Sequence, residues 1–190
     1  NKIYKSIHNK YLNFFKLFFF LRYIFVIFLI STILFLLIPQ FFDYKKKIDI
    51  IKVNLLQNYG IELKKLENIS FNPLPSPHLE INDLTIHFHS EDENLKTSKL
   101  IIYPKLLSIY NYNNFQIKKI KIENSELKIN YKDIKYLSKK ILNLKKKLYF
   151  KDLNFNIEDN GLNIIELKKI NFLNYGYKKI WLISSILEWG

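Results

Sequence analysis

The residues best suited to chemistry lie in the segment HFHSE, where His87, His89 and Glu91 recur at every second position. On an extended strand this spacing places the three side chains on one face, within reach of a single metal ion. Zinc accepts both imidazole and carboxylate ligands. The triad lacks a fourth ligand and the outer partners that orient metal-bound histidines. We therefore interpret it as a solvated polar face of a strand and predict no metal site.

Other catalytic arrangements are missing from the sequence. There is no cysteine, so thiol chemistry and disulfides are excluded, and four glycines leave no Gly-rich phosphate-binding loop. The adjacent acids at 91–93 lie in a turn pattern, without an apolar pocket to raise a pKa. No Ser/His/Asp spacing indicates a nucleophile. The sequence therefore predicts a protein that is not an enzyme and needs no cofactor.

Net charge gives little support to a nucleic-acid partner. The formal charge is +13, but the only arginine is Arg22, and proteins that read bases favour the bidentate guanidinium group. Beyond residue 43 the lysines alternate with acids instead of forming one basic stripe. The Lys-rich run at 138–150 is interpreted as the solvated face of a helix. We predict no nucleic-acid binding.

Residues 17–38 are apolar on every side of a helix and long enough to cross the hydrocarbon core of a bilayer. The predicted anchor residues are Arg22, whose long side chain can reach the headgroups, and its neighbour Tyr23. A buried core helix is the alternative, but nearly every position is apolar all round, which favours lipid. The segment predicts a transmembrane helix, which Pro39 should kink or end.

The flanks of this helix predict its orientation. Residues 1–16 are basic and no acid occurs before Asp43, which favours an N-terminus in the cytoplasm. The following IPQFFDY has none of the small residues that a signal peptidase needs. We therefore expect an uncleaved signal anchor, a cytoplasmic segment 1–16, and residues 43–190 outside the cytoplasm. Because the chain stops inside a patterned region, we also expect it to be truncated at its C-terminus.

The exported part begins with an amphipathic helix. Ile48, Ile51, Leu55 and Tyr59 share one helical face, and Gly60 stands where a left-handed C-terminal cap belongs. Beyond Gly60 the apolar period changes to two, which is typical of an antiparallel sheet covered on one face.

The strand pattern predicts a meander with interruptions. Turns are expected at EDEN, IENSE and EDNG, and helical pieces at 104–111 and 132–147. The apolar alternation shifts by one residue near Asn82 and Asp83, which indicates a bulge.

Three prolines at alternate positions, Pro73, Pro75 and Pro77, separate two apolar alternating runs. Proline lacks the N–H that a central strand would donate, so this segment cannot be a paired interior strand. We predict an extended, polyproline-like corner at a sheet edge that re-aims one strand into the next.

The order of these elements resembles the N-terminal region of AsmA-family proteins. The resemblance covers residues 17–131: a membrane helix, a helix ending in NYGIEL, the proline corner NPLPSPHLEINDLTI, a short helix at YPKLLS and a strand pair of the pattern I-x-x-I-x-I-x-x-x-x-L. The last pattern is occupied by Ile117, Ile120, Ile122 and Leu127. No step in it is catalytic.

The resemblance implies an α+β fold, with an N-terminal transmembrane helix, a mostly antiparallel, curved β-sheet that forms an open groove, and short capping helices. It implies a single-pass protein of the bacterial inner membrane with a periplasmic domain at 43–190. Its partner would be membrane phospholipid, handled in envelope and outer-membrane biogenesis. The candidate groove residues on the apolar strand faces are Leu79, Ile81, Ile120, Ile122, Leu127 and Ile129.

An alternative function stays open. A sheet with one apolar face must cover it, and the usual cover is a helix or a second sheet rather than acyl chains. The chain could then be a bitopic scaffold whose exported domain docks other envelope proteins, such as division or secretion components. The two hypotheses differ in what occupies the apolar strand faces.

Overall fold

The computed structural model describes the backbone of residues 2–63, 69–87, 94–111 and 113–189, and side chains within these ranges for 16–63, 69–87, 95–111 and 113–182. The chain divides into two compact units, Asn1–Phe41 and Phe42–Gly190. The fold class is α+β, with an N-terminal apolar helix and an open, mostly antiparallel sheet.

The first unit is one long helix, α1 (Lys2–Leu37), followed by a 3₁₀ turn (Ile38–Phe41). The stretch Lys16–Phe41 is long and apolar enough to cross a membrane. Most of its apolar side chains are exposed, and Tyr23 is also exposed. The α-helix ends two residues before Pro39, as predicted, because the residue before a proline is disfavoured in the α conformation.

The second unit opens with a 3₁₀ turn (Tyr44–Lys47) and helix α2 (Ile48–Tyr59). Gly60 caps α2 in the left-handed conformation, with φ of +62°, which confirms the predicted cap. The buried face of α2 consists of Ile51, Leu55 and Tyr59, and these side chains join the core of the sheet. The amphipathic period of the sequence therefore identified the covering helix correctly.

Eight strands form one sheet in the order β1-β3-β4-β5-β6-β7-β8, and β2 pairs with β3 beside β1. Their bounds are β1 (Glu62–Leu63), β2 (Ile69–Asn72), β3 (His78–His87), β4 (Asn94–Pro104), β5 (Ile117–Asn130), β6 (Lys147–Asp159), β7 (Leu162–Asn174) and β8 (Ile180–Trp189). The predicted EDNG turn is confirmed, since it falls at the β6–β7 hairpin.

From β3 to β8 the strands form a meander that is broken between β5 and β6, which pair in parallel. Parallel neighbours need a crossover that returns the chain to the starting end. A 3₁₀ turn (Tyr131–Asp133) and helix α3 (Ile134–Leu142) supply it. The predicted helix at 132–147 is thus shorter than expected and serves as a crossover. The predicted helical piece at 104–111 is a single 3₁₀ turn (Leu106–Ile109).

The proline segment connects β2 to β3, which pair antiparallel from Asn72↔His78 onward. The chain therefore reverses here instead of continuing as an extended corner, and the Leu74–Pro75 bond is cis. The prediction that the prolines stay outside the ladder is right. The polyproline-like geometry is wrong, because the pairing of the flanking strands leaves only a five-residue hairpin connection.

A row of left-handed residues, here called the crease, crosses the middle of the sheet. It consists of Asp83 (β3), Asn124 (β5), Asp152 (β6) and Lys169 (β7), with φ between 49° and 55°. The pairing places Asp83 and Asn124 on either side of the same β4 residue, Ser98, and sets Asn124 beside Asp152. Three of the four are Asp or Asn, which tolerate this conformation best.

The crease explains two sequence predictions that were wrong. IENSE is not a turn, because β5 continues through it and only Asn124 changes conformation. The predicted bulge at Asn82 and Asp83 has no extra residue, since the β3–β4 register is the same on both sides. In each strand the buried apolar residues change at the crease from odd to even positions, or from even to odd. The neighbouring strands make the same change at the same level of the sheet. The buried face therefore stays continuous.

Candidate functional site

The apolar face of the sheet is built from rows of side chains that lie opposite one another on successive strands. One row runs Ile81, Leu100, Ile122, Phe150, Phe172, Leu182 from β3 to β8. Directly paired residues share a face of the sheet, so these six side chains point the same way. The rings of Phe150 and Phe172 stack at 5.3 Å between centroids.

All six predicted groove residues lie on this face, and all six are buried. Their exposed fractions do not exceed 3%, and they belong to one core cluster with α2 and with Leu137 of α3. Over β3 to β6 the face is therefore covered by the protein itself. The residues are Leu79, Ile81, Ile120, Ile122, Leu127 and Ile129.

The apolar face of the sheet is less buried toward β8. Phe150 is buried, Phe172 is half-buried, and Leu182 at the end of the same row is 64% exposed. The neighbouring row runs from buried Leu148 on β6, through the fully buried polar residue Asn174 on β7, to Ile180 on β8, which is 36% exposed. The apolar face thus continues past its cover and is open to solvent at the start of β8.

The outer face near the proline hairpin carries a polar cluster that the sequence analysis did not identify. His78 is buried, not exposed as its position after the prolines would indicate. Its Nδ1 lies 2.6 Å from the carbonyl oxygen of Ser76 and its Nε2 lies 3.0 Å from Oε1 of Glu80. Lys99 Nζ donates to Glu80 Oε2 at 3.3 Å.

This cluster determines how Glu80 titrates. Burial alone would raise the pKa of Glu80, but the hydrogen bonds from His78 and Lys99 outweigh it and lower that pKa below its usual value. The carboxylate therefore stabilises the fold above the unfolded-state pKa, and this contribution is lost as the pH falls through the folded-state pKa.

We expect Glu80→Gln to flatten the acid side of the stability profile. Thermal unfolding of the detergent-solubilised chain, followed by circular dichroism from neutral to acid pH, should show a smaller loss of Tm in the variant than in the unchanged protein. Glu62→Gln, at an exposed glutamate, is the matched control and should keep the original slope. Equal slopes for all three proteins would contradict the assigned role of Glu80.

The HFHSE triad can be placed only in part. His87 ends β3 opposite Asn94, whereas His89 and Glu91 lie outside the described residues. Among the described residues no group of three or more potential metal ligands occurs. The prediction that this segment holds no metal stays a prediction.

Two clefts lie outside the apolar face. One, of about 750 Å³, lies between the C-terminal end of α2 and α3 and is lined by Tyr59, Lys139, Lys140 and Lys145. Three lysines of the basic run at 138–150 thus face a cleft rather than a uniformly solvated surface. The other, of about 960 Å³, follows the crease on the outer face. Both combine side chains from several strands or helices, which sequence spacing could not reveal.

The comparisons with known proteins do not add a family. No family model matches the chain, and the search of curated proteins gives no match. The likeness to AsmA-family proteins therefore rests on the order of the elements alone and stays a prediction.

Proposed function

We propose that this chain is a membrane-anchored, groove-forming protein that handles phospholipid, with acyl chains held on the apolar face of its sheet. The observation that carries the proposal is the open end of that face at β7 and β8, in a chain that also has a helix able to cross a membrane. An exposed run of apolar side chains is costly in water and is typical of a binding surface.

The proposal places the lipid farther along the sheet than the six residues chosen from the sequence. Those residues are enclosed by the core, so they form the closed end of the face. Phe172, Ile180 and Leu182 extend the same rows beyond the cover. A single acyl chain lying across these rows would bury apolar surface on both partners, which is the main favourable term in such binding.

The proposed setting is the bacterial inner membrane, with the N-terminus in the cytoplasm and residues 43–190 in the periplasm. The basic residues before the apolar helix and the first acid at Asp43 support this orientation. The resemblance to AsmA-family proteins supports the link to envelope and outer-membrane biogenesis.

Photo-crosslinking in cells tests the proposal. A photoreactive residue replaces Leu182 or Ile180, and the intact chain is exposed to alkyne-tagged phospholipid. Ile164, exposed on β7 outside this row, is the exposed control, and Ile122 is the buried control on the same row as Leu182. We expect lipid adducts at Leu182 and Ile180 several-fold above those at either control.

The same experiment separates the alternative scaffold function. Burial of all six predicted groove residues in the protein's own core is the observation that favours a scaffold. Protein adducts at Leu182 and Ile180, without lipid adducts above the Ile164 level, would overturn lipid handling and support docking of another envelope protein on this face.

A further inference from the structure

Four chain connections project from the same end of the sheet, here called the rim. They are 73–77 between β2 and β3, 105–116 between β4 and β5, 143–146 before β6, and 175–179 between β7 and β8. The strand pairings fix them at one end, because β3, β5, β6 and β8 start there and β2, β4 and β7 finish there.

Two of these connections are tied directly to each other. The amide of Tyr177 donates to the carbonyl oxygen of Leu144 at 3.0 Å. The side-chain amide of Asn174 donates to the carbonyl oxygen of Ile141 at 2.5 Å. These bonds hold the β7–β8 turn against the end of α3, so this part of the rim is a continuous surface.

The rim presents apolar side chains at its tips. Leu74, Leu107 and Tyr177 come from three different connections, and their exposed fractions are 74%, 76% and 75%. A single exposed apolar residue is ordinary. Three at the same end of one sheet, each from a different connection, form a set of apolar tips that a single flat partner can cover.

Charge is distributed unevenly between the two ends. The four rim connections contain five lysines and neither Asp nor Glu: Lys105, Lys145, Lys146, Lys178 and Lys179. At the opposite end, the β6–β7 hairpin carries Glu158 and Asp159. The rim is thus an apolar surface bordered by cations, which complements a negatively charged interface.

The chain also enters the second unit at this end. Phe42 packs its ring edge against Tyr110 of the 105–116 connection, at 5.7 Å between centroids. Lys47 Nζ donates to the carbonyl oxygen of Ile109 in the same connection at 2.6 Å. The chain reaches this entry from α1 through the 3₁₀ turn Ile38–Phe41. The contacts of Phe42 and Lys47 with the rim therefore lie close in sequence to the apolar helix.

We propose that the rim docks on the surface of an anionic phospholipid bilayer, the one that the apolar helix enters. Leu74, Leu107 and Tyr177 lie among the headgroups and the five lysines contact lipid phosphates. Apolar tips with flanking cations are the composition that binds such interfaces. The tether makes the contact intramolecular, so modest attraction is sufficient. The proposal requires insertion of the helix but not acyl binding at β8.

The absence of cysteine makes a site-specific test simple. Leu107→Cys and Leu74→Cys are labelled with the environment-sensitive dye NBD in the full chain, reconstituted into phosphatidylcholine vesicles with or without phosphatidylglycerol. Leu162→Cys is the matched control, because Leu162 is 74% exposed at the opposite end of the sheet. Doxyl-labelled lipid reports direct contact through quenching.

We expect blue-shifted emission and several-fold stronger quenching at positions 74 and 107 than at position 162, in vesicles that contain phosphatidylglycerol. Lys178→Glu with Lys179→Glu should reduce this quenching, as should vesicles of phosphatidylcholine alone. Equal, water-like emission at positions 107 and 162 would overturn the proposal. A blue shift without doxyl quenching would also overturn it, since the rim would then be covered by protein. Lipid adducts at Leu182 are scored separately, so either proposal can fail alone.

Discussion

Phe150→Ala should destabilise the second unit by about 3–5 kcal/mol, the usual cost of removing a buried aromatic ring from a core. Phe150 is 1% exposed and stacks on Phe172 in the middle of the apolar row. The substitution deletes that stacking contact and leaves a cavity in the core. Urea unfolding of the detergent-solubilised chain, followed by far-UV circular dichroism, measures the change in the free energy of unfolding.

Leu182→Ala is the control on the same row. Because Leu182 is 64% exposed, its truncation should change the free energy of unfolding by no more than about 0.5 kcal/mol. It should nevertheless lower phospholipid capture if the open face holds acyl chains. A large loss of stability in this variant would mean that Leu182 is covered, and the proposed lipid face would lose its main support.

Gly176→Ala is expected to have the second largest effect, about 2–4 kcal/mol. Gly176 adopts φ of +85°, and a Cβ there would lie 2.6 Å from the carbonyl oxygen of Lys145. The amide of Gly176 also donates to Oδ1 of Asn174 at 2.6 Å, which fixes the turn in place. Left-handed strain and the clash with main-chain atoms therefore add together. Tm of the variant, measured by circular dichroism, should fall by several degrees.

Gly161→Ala separates the two causes. Gly161 has φ of +80°, but nothing lies within 4 Å of a Cβ built on it. This variant should show only the conformational cost, about 1 kcal/mol. If the two variants lost the same stability, the close approach of the β7–β8 turn to Lys145 would not matter energetically. The tie between two rim connections would then need another explanation.

Local patterns in the sequence were sufficient for the elements that depend on local physics. The apolar run predicted the long helix, Pro39 marked its end, and Gly60 capped α2 because the left-handed conformation is accessible to glycine. Alternation of apolar residues identified the strands and their buried face. These features need no knowledge of partners far away in the chain.

Pairing between distant strands could not be predicted in this way. The parallel arrangement of β5 and β6 depends on where α3 returns the chain, and nothing in either strand encodes its neighbour. The segment IENSE has the composition of a turn, yet it continues as a strand because left-handed Asn124 lies beside left-handed Asp152. Tertiary pairing overrode the local turn preference.

The sequence predicted which side chains form the apolar face of the sheet, but it did not predict which of them are exposed to solvent. The alternation correctly placed Ile120 and Ile122 on the apolar face, but it gives no information on which part of that face α2 and α3 cover. Burial of His78 likewise depends on its contact with Glu80, two residues away on the same strand, and on the ring of Tyr103 at 5.5 Å. Which side chains are covered depends on how the helices and the sheet pack together, and this cannot be read from one segment of the sequence.

The crease has a consequence for how the sheet assembles. A slip of two residues leaves the two faces of an ordinary strand unchanged, but here it would put the residues between the crease of that strand and the crease of its neighbour on the wrong face. The left-handed residues of β3, β5, β6 and β7 therefore fix the register, because only one set of strand pairings keeps them at the same level of the sheet. Any strand that joins the edge at β8 must carry the same change of parity at the same height. The crease thereby selects, by geometry alone, which sequences can extend this sheet.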